Sequence, residues 1–280
     1  MQFQRSRSPY QKIKGKIKNI EREKQPFPLV VKQILNEADI ILEVLDARFI
    51  EETINPDLQG LAEKTGKRLI YVLNKSDLVD YQKTRDKANK MKIHPFILLS
   101  CKNKSGIRDL KTRIKIEAQK IETSNYRINV VIIGYPNTGK SSLINSLTGR
   151  SSAETSLEPG FTKGIKKIKF APGIVLLDTP GVLPKKESKQ DSESMIKHAK
   201  IGIKNYDKIK DPEFVVYNLM KENPNLVESS YNMESNSDPD DFLEKLGRKK
   251  HFLRKGNQID IDRTAKLIIK DWQTGNIKHK

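Results

Sequence analysis

Cysteine and tryptophan occur once each in this 280-residue chain, as Cys101 and Trp272. A lone cysteine excludes an internal disulfide and a cysteine zinc cluster, and it fits a reducing compartment. Histidine is scarce too. His94 precedes a proline, and His198, His251 and His279 lie among lysines, so no ligand set is legible and surface positions are expected. No apolar run approaches the roughly 20 residues of a membrane helix. The longest runs are strand-like, such as Val130-Val131-Ile132-Ile133, and a soluble, cytoplasmic chain without a membrane partner is expected. Residues 1–20 contain no acid. Lysine dominates that segment and no apolar face is visible, so it reads as a basic arm rather than a transit peptide.

Where acids are missing, bases accumulate. Lys and Arg number 53 against 35 Asp and Glu, a formal charge of +18. A surplus of that size speaks about partners, and a polyanion is the natural one; a solvated lysine-rich surface is the plain alternative. Residues 1–24 alone carry eight Lys or Arg against two Glu. At this length one main domain with an appendage is expected.

From Leu29 to Ser124 apolar strand patterns alternate with helical ones. Ile40–Leu45 ends at Asp46, Leu69–Leu73 runs into Asn74, and Phe96–Leu99 runs into Ser100. The logic continues with a strand over Ile128–Ile133, a helix from Lys140 to Leu147, and an antiparallel pair over Gly164–Phe170 and Ile174–Leu177. Such alternation predicts an α/β fold on a mostly parallel sheet, with ligands gathered at the carboxyl ends of the strands. Beyond Pro184 the strand signal fades. Residues 187–225 look helical, Asn225–Asp241 reads as a polar loop, and Phe242–Lys280 holds two basic helical patterns. The expected division is a basic arm over 1–28, a nucleotide domain over 29–186 and a helical domain over 187–280. There is no tandem repeat.

Each strand end of the middle region carries chemistry. Gly134-Tyr135-Pro136-Asn137-Thr138-Gly139-Lys140-Ser141 matches a phosphate loop, between an apolar strand and an apolar helix. Glycines let successive N–H groups point at phosphate oxygens where the helix dipole also favours negative charge. Pro136, Asn137, Thr138, Gly139 and Ser142 belong to this cradle. Lys140 is placed to neutralise the terminal phosphates and the Ser141 hydroxyl to bind Mg²⁺. In Asp178-Thr179-Pro180-Gly181, Asp178 would hold a magnesium-bound water and the Gly181 amide would meet the terminal phosphate. Thr162, between these motifs, is the candidate for a mobile threonine on the metal, with Thr155 as runner-up. Lys140, Thr162 and Gly181 form the expected catalytic set.

Asn74-Lys75-Ser76-Asp77 supplies the base-reading element. Guanine presents an N1–H beside an exocyclic amine, and one carboxylate, Asp77, can accept from both. Asn74 would donate to the other side of the ring, the Lys75 stem would cover the base, and Ser100-Cys101-Lys102 would cap it with backbone. Adenine lacks that paired donor edge, so the element argues for GTP over ATP. In most GTPases the phosphate loop leads, whereas here the base-reading half comes first, as if the chain had been cut between the halves and rejoined.

This order of motifs, together with Pro159-Gly160-Phe161-Thr162, resembles the circularly permuted GTPases of the YlqF/RbgA type, which assist assembly of the large ribosomal subunit. The resemblance spans about residues 29–280. It extends to Phe252-Leu253-Arg254-Lys255-Gly256 and Arg263-Thr264-Ala265-Lys266 through Asp271-Trp272-Gln273-Thr274-Gly275, which are similar to the family's rRNA-facing helical domain. It implies a circularly permuted P-loop domain with helices on both faces of the sheet, a small all-α carboxyl-terminal domain, and GTP hydrolysis; a monomer is expected, although the sequence does not fix the oligomeric state. Val182 stands where many small GTPases place a water-orienting glutamine and cannot orient water, so slow intrinsic hydrolysis is expected, stimulated by the subunit. Asn137 matches a position from which related GTPases bind K⁺; a loop-shaping role is the equal alternative. The chain departs from bacterial members in having no histidine before His94.

Phe242–Lys280 carries eleven Lys or Arg against four acids, and Lys185–Lys210 eight against four. Lys249, Lys250, Arg254, Lys255, Arg263 and Lys266 are the expected rRNA contacts, giving salt-dependent affinity for structured RNA. Phe252 and Trp272 are expected in the helical core rather than as stacking platforms. Two alternatives stay open: a GTP-sensing RNA-binding module with negligible hydrolysis, and a GTPase acting on another RNA such as tRNA.

Overall fold

In a computed structural model of the protein, the described residues are 35–121, 127–149, 166–178, 192–234 and 238–277. The chain divides into two compact units, Met1–Glu37 and Ala38–Lys280. Only residues 35–37 of the first are described; the sheet and the helices from Ile50 onward belong to the second. The expected boundaries near residues 28 and 186 fall outside the described residues, as do Thr155, Thr162, Gly181 and Val182.

Among the described residues six strands, β1 (Ile40–Asp46), β2 (Arg68–Asn74), β3 (Phe96–Leu98), β4 (Ile128–Ile133), β5 (Lys166–Ala171) and β6 (Ile174–Asp178), form one sheet in the order β3-β2-β1-β4-β6-β5. All neighbours are parallel except β5 and β6, whose two-residue turn makes them antiparallel. Every residue of β1 is buried, as a central parallel strand covered on both faces requires. The chain steps outward from β1 to β3, then returns to lay β4 on the other side of β1. That reversal opens a crevice at the carboxyl ends of β1 and β4, the place where open α/β sheets bind ligands.

Helices α1 (Ile50–Thr53), α2 (Pro56–Thr65), α3 (Tyr81–Lys90), α4 (Ile107–Gln119) and α5 (Lys140–Thr148) accompany the sheet. Ile107, Leu110 and Ile114 of α4 and Leu143, Ile144 and Leu147 of α5 pack on Leu42, Val44, Val130 and Ile132. Ile50 and Ala88 cover the opposite face with Leu45, Tyr71 and Leu73. Helix ends follow the local chemistry: the Asn55 side chain accepts from Asp57 N ahead of Pro56, and the Asp80 side chain accepts from Lys83 N.

Further α-helices among the described residues are α6 (Ser192–Lys200), α7 (Pro212–Glu222), α8 (Leu226–Ser230), α9 (Pro239–Lys249) and α10 (Ile261–Thr274). They share a separate core built on Val215, Leu219, Phe242, Leu246, Ile268 and Trp272, which also takes in Phe49 and Tyr135 from the loops after β1 and β4. The polar stretch expected as a loop over 225–241 contains α8, because Val227 reaches this core. Trp272 is fully buried, as expected. Phe252 is not in a helix. It is half-buried in the turn between α9 and α10, beneath the Arg263 guanidinium 4.2 Å from its ring centre. Among the described residues no helix is long and apolar enough to cross a membrane.

Inside the sheet layer sits a buried carboxyl, Glu43, whose Oε1 accepts from Asn55 N at 2.6 Å while Oε2 has no partner. Burial pushes its pKa up to about 8, against the smaller lowering by the Asn55 amide. A carboxyl whose folded pKa exceeds its unfolded one holds a proton that the unfolded chain gives up. Folding is therefore penalised from about pH 4.5 upward, and the penalty levels off above about pH 8. Glu43→Gln keeps the acceptor for Asn55 and removes the charge. Its stability should match wild type near pH 4.5 and exceed it by a margin growing at most about 1.4 kcal/mol per pH unit up to pH 8. Urea denaturation of both proteins across that range is the check.

Candidate nucleotide site

The phosphate loop leaves β4 at Gly134 and enters α5 through Gly139, whose φ of 99° suits glycine. Inside the turn, Thr138 Oγ1 and Lys140 Nζ both donate to the Tyr135 carbonyl, at 2.9 and 2.7 Å. Lys140 is buried, and burial lowers its pKa to about 8 against the raising effect of Asp178. Asp178 ends β6, in register with Ile132 on β4, so its carboxylate stands one strand away from the loop.

The base-reading loop leaves the end of β2, two strands over. Asn74 is buried and uses its amide on other loops: Nδ2 donates to Thr138 O at 2.8 Å, and Oδ1 accepts from Cys101 N at 3.2 Å. Asn74 thereby ties three loops together, the base-reading loop, the phosphate loop and the loop after β3. A Cβ at Gly139 would overlap the Asn74 amide nitrogen, so this close approach needs glycine. Asp77 Oδ1 accepts from Ser100 Oγ at 2.5 Å, and that hydroxyl oxygen accepts from Asn103 N at 3.1 Å. Burial raises the Cys101 thiol pKa.

Lys75 adopts a left-handed backbone, φ 65°, and its Nζ donates to Asp46 Oδ2 at 2.8 Å. Asp46, at the end of β1, also receives Arg48 Nε at 3.0 Å and Nη2 at 2.8 Å. The side chains of Asp46 and Arg48 are each 1% exposed. Burial alone would raise the Asp46 carboxyl, but Arg48 and then Lys75 outweigh it and hold its pKa down at about 2.

Both loops open on one cavity of about 430 Å³. Of the expected residues, Asn74, Lys75, Asp77, Cys101, Lys102, Asn137, Gly139, Lys140, Ser141 and Ser142 line it. Ser100 lies beneath Asp77 and Thr138 is buried beneath the loop; neither they nor Pro136 reach the lining. Leu78, Gln273 and Thr274 complete the wall. No nucleotide pattern marks them. Ser141 and Asp178 offer the hard oxygen donors Mg²⁺ prefers, beside a phosphate cradle, so the residues present fit that ion.

The expected RNA contacts lie on α9, on α10 and in the turn between them. Arg254 pairs with Asp260 and Lys266 with Asp262, each at 2.8 Å, while Lys249 Nζ donates to Tyr231 O. Lys250 lies 6.0 Å from the Tyr231 ring centre, and Lys255 is exposed.

A GTP-binding protein of Methanocaldococcus jannaschii is 33% identical over 258 residues, covering 92% of this chain and 67% of that protein. The GNP-bound YlqF from T. maritima superimposes with a TM-score of 0.61 at 24% identity, over 89% of this chain and 93% of that one. This chain belongs with these GTP-binding proteins and has the circularly permuted GTPase fold of YlqF. The family described as 50S ribosome-binding GTPase matches residues 129–234. Nucleolar GTP-binding protein 2 of Neurospora crassa is 31% identical over 254 residues, 88% of this chain but 40% of that protein. The chain thus spans 67% of the length of the first of these curated relatives and 40% of the second. The base-reading element here precedes the phosphate loop, and the sheet order places the two on either side of β1 at the switch point.

Proposed function

We propose that this protein hydrolyses GTP with Mg²⁺ and acts in assembly of the large ribosomal subunit, binding rRNA through its helical part. The observation that carries the nucleotide half of this reading is the single cavity on which Asp77 and Lys140 both open, locked by the Asn74 to Thr138 bond. Asp77 reads the guanine edge. Lys140 exchanges its bond to the Tyr135 carbonyl for phosphate oxygens, and its ammonium pKa rises as it does so. Mg²⁺, held by Ser141, Thr162 and a water on Asp178, would screen the phosphate charge. Gly181 and Thr162 sense the terminal phosphate. Asn137, whose amide donates to Gly202 O, keeps its Oδ1 for K⁺. Lys249, Lys250, Arg254, Lys255, Arg263 and Lys266 meet RNA phosphates. The nucleotide machinery occupies about residues 29–186, the RNA surface 187–280, and the basic arm 1–28 adds affinity; the protein works as a monomer in the cytoplasm.

The test is GTP turnover in K⁺ and in Na⁺ buffer, each with and without purified large subunits. Turnover should be slow alone and rise on the order of tenfold or more with subunits in K⁺, as added positive charge at the phosphates predicts. GTP binding with no acceleration under any condition would replace the assembly-enzyme reading by a GTP-sensing RNA-binding module.

A further inference from the structure

The nucleotide cavity has one wall that belongs to neither nucleotide motif. Gln273 and Thr274, at the end of α10, line it together with Lys75, Asp77 and Asn137. Several independent contacts hold this turn in place. Arg48 Nη1 donates to the Trp272 carbonyl at 2.8 Å, while the rest of its guanidinium is bound to Asp46, which also holds Lys75. Gly275, φ 80°, lies so close to Leu78 of the base-reading loop that a Cβ there would overlap the leucine side chain. Gln273 Nε2 donates to Ala199 O and Lys204 O at 2.8 and 2.9 Å, on either side of Gly202. The Gly202 carbonyl in turn accepts from Asn137 of the phosphate loop. Both nucleotide loops therefore meet the same turn of the helical part, through Arg48 on one side and Gly202 on the other.

We propose that Gln273–Gly275 is a wall of the guanine pocket, with Arg48 as its positioning residue acting through Asp46 and Lys75. Nucleotide occupancy and docking of α10 are then one coupled equilibrium. This rests on the cavity being the guanine-nucleotide site and goes beyond it by naming a second route to the helical part. The route passes through base and ribose rather than the terminal phosphate, so GDP engages it as GTP does. By reciprocity, whatever grips α10 changes nucleotide affinity by the same factor. An RNA or protein surface that pulls this turn away would release GDP without touching the phosphate loop.

The sole tryptophan makes the test direct. The Trp272 ring stacks on Phe49 at 6.1 Å and its indole N–H donates to Lys200 O, so its emission reports on the docking of α10. GDP is titrated into the full chain with Mg²⁺, affinity is read by calorimetry, and Trp272 emission and amide exchange over Lys270–Ile277 are followed in parallel. In wild type, GDP should shift the emission and slow exchange in that segment about tenfold or more. Arg48→Met and Gln273→Ala should bind GDP about tenfold more weakly and lose both responses at saturating GDP. A purely structural Arg48 would lower stability and leave the responses at saturation intact, which overturns its role. Should Arg48→Met fail to fold, Gln273→Ala decides, because its side chain sits at the cavity edge. GDP heat in wild type with unchanged emission and exchange overturns the coupling. Absence of any GDP heat overturns the nucleotide reading itself.

Discussion

Asp77→Asn should bind GDP at least about a hundredfold more weakly than wild type and gain affinity for xanthosine diphosphate. The carboxylate can accept from the guanine N1–H and exocyclic amine together, and hydrogen bonds to a charged group contribute roughly 1.5–3 kcal/mol each. An amide offers one acceptor and turns a donor toward the guanine amine, leaving that amine unpaired in the pocket. Xanthine carries an oxygen there, which accepts from the new amide. The scaffold should survive the change, since Asp77 Oδ1 accepts from Ser100 Oγ, and the oxygen of an asparagine can do the same. Calorimetric titration with GDP and xanthosine diphosphate tests this. Equal GDP affinity in the two proteins would remove Asp77 from base recognition and assign the guanine edge to another group of the cavity.

Asp46→Ala should be the most destabilising single change in the nucleotide region, at about 3–5 kcal/mol by denaturant unfolding, because it strands the charge of Arg48. The Arg48 side chain is 1% exposed, and beyond Asp46 its guanidinium donates only to the Trp272 carbonyl among the described residues. The pH dependence has the opposite sign from that of Glu43. Asp46 is held at about pKa 2 in the folded chain against an ordinary 3.8, so its stabilisation is complete above about pH 4 and fades as pH falls through 2. Wild type should lose that increment in acid and the alanine variant should not. A flat difference between the two proteins from neutral pH down to pH 2 would show that the pair adds nothing through charge.

The parallel sheet is legible in the sequence because burial on both faces leaves runs such as Ile40–Leu45, and because each of β1, β2, β4 and β6 ends at, or runs directly into, a polar residue or glycine. Lys140, Ser141 and Asp77 are legible as parts of contiguous patterns whose geometry is fixed within a few residues. Asn74 is expected at the site, but its bond to Thr138, 64 residues on, is not, since nothing local shows that the two will pass beside each other. Neither Arg48 nor Gln273 carries a local signal for its role. Their roles depend on a meeting of residues 224 and 74 positions from their partners Trp272 and Ala199, and hydrophobic periodicity carries no record of such meetings. Phe252 departs from expectation for a related reason: an aromatic among apolar residues near a helix end does not reveal that an arginine from the next helix will cover it.

The position of β1 has a consequence for how the chain is made. It lies at the centre of the sheet, yet it is the first strand of its unit to leave the ribosome, and its partners arrive far apart in time. β2 follows within about thirty residues, whereas β4 begins 88 residues after Ile40, as the pairing of Ile40 with Val130 and Arg68 shows. During that interval Ile40, Leu42 and Val44 belong to an open strand edge of the kind that pairs with any available chain. The central seam of the sheet thus stays open while the intervening residues are made, and closing it is a late, long-range event in folding.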